Sequence, residues 1–121
     1  MTTDQVEDFF RGHPLGRAAF DRVSDLLADF ADSTVTVSRS QVAFRRRRAF
    51  AWLWLPGRWL ARPDADVVLS VSLGRQDPSP RFKEVVHPAR AHWMHHLELT
   101  DLGDLDDEVA GWLREAAERA G

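Results

Sequence analysis

Seven consecutive apolar residues, Ala49 to Leu55, follow four consecutive arginines, Arg45 to Arg48. Successive side chains of a β-strand point to opposite sides, so a strand of this composition is apolar on both faces. The arginines stay in water as a turn, and the length of that turn decides where the tryptophans go. If the turn closes an even-length hairpin, Phe44 pairs with Ala49. The core face then runs on through Ala51, Leu53 and Leu55, and Phe50, Trp52 and Trp54 face the other way. If the loop is odd, Phe44 pairs with Phe50, and Trp52 and Trp54 join the core. A slip of one residue exchanges the two faces completely. A four-residue arginine turn keeps every charge solvated, which favours the even loop. Either way the second face of the sheet is not fully solvated.

The remaining pattern places this strand in a sheet backed by helices. Thr2 or Thr3 caps a short helix ending at Gly12, and Pro14 takes the favoured first position of a second helix. Leu15, Ala19, Phe20, Val23, Leu26, Leu27 and Phe30 form its apolar stripe, with Arg17, Asp21, Arg22, Asp25 and Asp29 opposite. Alternation then marks strands over 34–38, 41–44, 49–55, 66–73 and 92–99. In 66–73, Val67, Leu69, Val71 and Leu73 share one face, and Ser70 and Ser72 share the other. In 92–99, His95 lies with Trp93, Leu97 and Leu99, and His96 with His92, Met94 and Glu98. A two-residue turn at Arg39–Ser40 pairs Val37 with Val42. Pro56–Gly57, 62–66 and 74–80 have turn chemistry. Asp104 is read as the N-cap of a last helix, with Val109, Trp112, Leu113 and Ala116 as its stripe. The expectation is one α+β domain spanning 1–121. Two N-terminal helices and one C-terminal helix cover one face of about five mainly antiparallel strands in a meander.

Charge and composition remove several function classes. The chain has no cysteine, which excludes disulfides and thiolate chemistry and suits a reducing compartment. Its acidic N-terminus is not a targeting signal, and its longest apolar run is far short of the roughly 20 residues of a membrane helix. A cytoplasmic protein without a membrane partner is expected. Residues 39–90 carry ten Arg and one Lys against four acids, while the flanking segments carry five Arg against fifteen acids. The basic middle lies between acidic ends. Fifteen arginines against one lysine fit the codon usage of a GC-rich bacterium, so arginine preference alone is not read as function.

In this order, His13-Pro14, Phe20, Val42-Ala43-Phe44, Phe50-Ala51, His95-His96, Leu99 and the tail 106–116 resemble a bacterial domain-of-unknown-function family, number 5655. The similarity runs over nearly the whole chain. It implies a small α+β domain and transfers no catalytic residue. Two departures are Ala117, where a Tyr is common, and a sheet unusually rich in Trp and Arg.

No nucleophile-elbow, P-loop, dinucleotide or zincin motif occurs, so no cofactor is expected and the chain reads as non-catalytic. His92, His95 and His96 are too divergent on a strand to share a metal ion. Asp64 and Asp66 sit in a turn for backbone reasons. The favoured function is a binding or interaction module on the open sheet face, formed by Phe50, Trp52, Trp54, Ser70, Ser72 and His96, with Arg45 and Arg48 at the rim. Self-association or a protein partner through that face is the simplest form. One alternative is nucleic-acid binding by Arg45–Arg48, extended by Arg39, Arg58 and Arg90. The other is a small-molecule enzyme with a pocket lined by His96 and serines.

Overall fold

The computed structural model describes residues 2–28, 32–58 and 65–121. Asp29 and Phe30 of the second helix's pattern, and residues 62–64 of the expected turn with Asp64, lie outside them. So do the side chains of Thr2, Thr3 and Arg58.

Helices α1 (Thr2–Phe9) and α2 (Pro14–Ala28) are joined through Gly12, whose φ of 80° only glycine adopts freely. The expected stripe buries Ala19, Val23 and Leu27. Gly16 lets α2 approach its neighbours: a Cβ there would sit 2.5 Å from a ring carbon of Phe10 and 3.1 Å from Val67.

Strands β1 (Thr34–Val37), β2 (Val42–Arg45), β3 (Ala49–Trp54), β4 (Val67–Leu73), β5 (Glu84–Ala89) and β6 (His92–Leu99) form one antiparallel sheet, ordered β1-β2-β3-β4-β6-β5. The first four strands are the expected meander. The one strand beyond the five foreseen is β5, which lies at the sheet edge with its last four residues exposed and Pro88 inside it. A free edge is where proline is tolerated, and without a buried face the alternation that announces a strand is missing.

Val37 pairs with Val42 as expected, and Ser38 N–H donates to Gln41 O at 2.9 Å to close that turn. At the arginine hairpin, Phe44 pairs with Ala51, Ala43 with Trp52 and Val42 with Leu53. These are the faces of the even loop: Ala51, Leu53 and Leu55 are in the core, and Trp52 and Trp54 are on the opposite side. The register itself differs from a plain hairpin. Arg45 pairs with Ala49, and Phe50 is the extra residue of a bulge. A bulge turns two successive side chains to one side, so Phe50 joins Ala51 in the core at 1% exposure. Phe50 is therefore not a residue of the open face, contrary to the alternation of the sequence.

The helices α1, α2 and α3 (Asp107–Ala120) cover one face, packing Val6, Phe10, Val23, Leu27, Val109 and Leu113 with the inward residues of the strands. The ring of Phe20 stacks on Phe44 with centroids 5.6 Å apart. The cap of α3 is Asp106, whose side chain accepts from Val109 N–H at 3.2 Å. Asp104 instead accepts from the amides of Thr100 and Asp101, closing a short 3-10 turn (Leu102–Asp104) just before the helix. The acidic run contains two successive caps, and only the second opens α3. No helix of the described residues is long and apolar enough to cross a membrane.

Candidate functional site

The side of the sheet away from the helices carries the outward residues of β3, β4 and β6. Cross-strand pairing lines up Trp52, Ser70, His96 and Glu84 on four adjacent strands. Trp54 lies two pairs along β3, opposite Val68. A groove of about 430 Å³ opens here, with Trp52, Trp54 and Met94 as apolar walls. Ser70 and His96 line it from the middle strands, and Ser40 and Gln41 close one end from the β1–β2 turn.

A hydrogen-bond chain fixes the floor. Trp54 Nε1–H donates to Ser70 Oγ at 2.8 Å, and Ser70 Oγ lies 2.6 Å from His96 Nδ1. An indole nitrogen only donates, so the serine oxygen accepts from Trp54; among the described residues His96 Nδ1 is the acceptor within reach of the buried hydroxyl's own hydrogen, and donating there leaves that hydrogen paired. His96 Nδ1 is then the acceptor, and its remaining proton sits on Nε2. The Trp54 and His96 rings also meet edge to face, with centroids 6.0 Å apart. Ser70 is 3% exposed, so this chain satisfies a hydroxyl that water barely reaches. Burial holds the His96 pKa below its ordinary value of 6.5; Glu84 opposes this shift and His95 adds to it. The neutral ring that the hydrogen bonds require is thus the form that burial favours.

The adjacent histidine has a different role. His95 is fully buried on the helix side, its Nδ1–H donating to Trp93 O at 2.9 Å and its Nε2 accepting from Asp77 N–H at 3.0 Å. It ties the segment before β5 to the core, beside the ring of Phe82. Asp77 carries that anchoring further, accepting from Trp112 Nε1 and Arg75, each at 3.0 Å. Burial pushes the Asp77 carboxyl up, but the Ser79 amide, Arg75 and Trp112 outweigh it and hold it below the usual carboxylate range. No group of His, Cys, Asp or Glu among the described residues is arranged to hold a metal ion.

The arginine hairpin is engaged with α3. Arg46 donates to Ala117 O at 2.8 Å, Arg48 donates to Arg119 O at 3.0 Å, and the Arg47 backbone N–H donates to Ala120 O at 2.8 Å. These carbonyls belong to the last turn of α3, where oxygens lack partners within the helix and the dipole is negative. Arginines expected to be merely solvated thus cap the end of the helix. Arg48 does not reach the groove, and Arg45, half-buried at the end of β2, is not among its lining residues. Ser72 is buried beside the groove, paired with Met94, and does not line it.

Of the residues singled out in the sequence, the structure brings together Trp52, Trp54, Ser70 and His96. It leaves out Arg45, Arg48, Phe50 and Ser72. Gln41 and Met94 were legible as open-face positions from alternation with Val42 and His95, but nothing in the sequence marked them as lining a groove. Ser40 arrives from a turn, where periodicity carries no signal.

A Ser–His contact invites comparison with acyl-transfer chemistry, which needs donors aimed at a developing oxyanion. Here β3, β4 and β6 each have paired strands on both sides, so their N–H groups are spent within the sheet.

A family model for a domain of unknown function, DUF5655, matches residues 6–119. The chain belongs to the DUF5655 family. No curated protein and no solved structure matches it. The match runs from α1 to α3, so both the groove and the arginine hairpin of this DUF5655 chain lie inside the family's domain.

Proposed function

We propose that this DUF5655 domain is a non-catalytic binding module whose ligand enters the groove on the open sheet face. The observation that carries this reading is a concave site of about 430 Å³ in which two tryptophans flank a fixed Trp54–Ser70–His96 hydrogen-bond chain. Its size falls within the roughly 300–1,000 Å³ of small-molecule clefts, and its apolar walls with few convergent polar groups follow their usual make-up. A second copy of the chain is the less favoured occupant. A two-fold interface must be self-complementary, and a hollow facing its own copy leaves a void. The nucleic-acid reading loses its main donors, because Arg46 and Arg48 are held by α3.

The test is an indole N–H spectrum of the ¹⁵N-labelled protein, with Trp52 and Trp54 assigned by Trp→Phe variants. A library of small soluble compounds is then screened against it, and sedimentation is measured across a wide concentration range. Compounds that shift only the Trp52 and Trp54 signals, on a monomer, support the reading. Self-association that protects these two indoles makes the face a dimer interface instead. Binding of a mixed oligonucleotide at low salt, lost on replacing Arg45 and Arg47, favours the nucleic-acid alternative.

A further inference from the structure

The charge layout of the open face narrows what the groove can hold. Serines, Gln41, tryptophans, Met94 and a neutral His96 line it, and none of these carries a formal charge. The acidic residues of that face, Glu84 and Glu98, stand outside the lining on β5 and β6, and Arg45 stands outside it on β2. A charged ligand would lose hydration against apolar walls and meet no counter-charge, which is the heaviest cost burial imposes.

The walls suit a flat molecule. Trp52 and Trp54 are two residues apart on one strand and project from the same side of the sheet, so both indoles offer ring surface to one groove. The Trp54 ring is already held by Ser70 and by the edge of His96, so one wall is ordered before a ligand arrives. The same chain leaves His96 Nε2–H as a donor that Ser70 does not use.

Resting on the binding reading above, we infer that the groove takes a small, uncharged, flat heteroaromatic molecule. It stacks on the indoles and accepts a hydrogen bond from His96 Nε2. Sugars, which offer hydroxyls and puckered rings, and aromatic carboxylates are the two classes this excludes.

The experiment uses the full chain and four probes: quinoline-6-carboxamide, quinoline-6-carboxylate, cyclohexanecarboxamide and methyl glucoside. The readout is the set of indole N–H signals, in which Trp93 and Trp112 report that the fold is intact. The carboxamide should shift Trp52 and Trp54 saturably, with the carboxylate at least about tenfold weaker. The saturated amide and the glucoside should leave both signals in place. His96→Gln should weaken the carboxamide severalfold, and Trp52→Ala, or Trp52→Phe as the milder change, should weaken it further. If the carboxylate or the glucoside shifts the same indoles as strongly, the groove still binds and the ligand class is wrong. If no probe at millimolar concentration moves either indole, the class assignment falls, while the binding reading stands or falls on the library screen and sedimentation.

Discussion

Ser70 shows how one residue holds two others in place. Its oxygen accepts from Trp54 and its hydrogen goes to His96, so Ser70→Ala leaves an indole N–H and an imidazole nitrogen without their partner. The expected loss is about 1–3 kcal/mol of stability by urea denaturation. The Trp54 indole signal should shift more than that of Trp93. His96 adds a pH dependence of definite sign. Its folded pKa lies below the ordinary 6.5, so the unfolded chain binds the proton more readily. Its contribution is therefore complete above the unfolded pKa, shrinks as pH falls towards the folded pKa, and is constant below that. His96→Gln should flatten this part of a stability–pH profile, and an unchanged profile would show that His96 does not titrate as described. The nearby Glu84 works against the shift, so Glu84→Gln should widen the window towards lower pH. The alternation of Ser70 and His96 against Val71 and His95 was legible in the sequence. Their contact was not, because the long connection between the two strands leaves their register open.

The clearest gap between sequence and structure at the scale of an element is the arginine hairpin. Four adjacent arginines read as a solvated turn, because nothing local says that the end of a helix some seventy residues later lies within reach. Arg46→Ala combined with Arg48→Ala removes two donors from the last turn of α3, and should cost about 1–2 kcal/mol. Faster hydrogen exchange confined to residues near the end of α3 is the accompanying signature; exchange unchanged there would deny the capping role. The bulge belongs to the same hairpin. Parity correctly separated Trp52 from Phe44, but an inserted residue is invisible to a period-two pattern, and Phe50 went to the core. Similarly, β5 escaped because Pro88 and an exposed edge erase the alternation by which strands are read.

At the scale of the whole molecule, the two faces of the sheet should respond differently to the same kind of change. Phe50→Ala empties a fully packed position and should cost about 3–5 kcal/mol, whereas Trp52→Ala, half-exposed on the open face, should cost about 1 kcal/mol. Equal losses would mean that the open face is itself a second core. The one-sided layering was readable beforehand from the helix stripes and from apolar residues at every second strand position. The groove was not, since a hollow requires Gln41 from a turn and Trp54 and Met94 from two strands to converge, and nothing local fixes how β4 and β6 are aligned between them.

The far edge of the sheet limits how this domain meets other chains. Between Val86 and Ala89 the pairing of β5 with β6 shifts register, and Pro88 offers no N–H to a newcomer. A stray peptide looking for a strand to copy would find a broken template there. Growth by adding strands is thereby discouraged on that side, and the sheet ends there as a closed margin rather than a template.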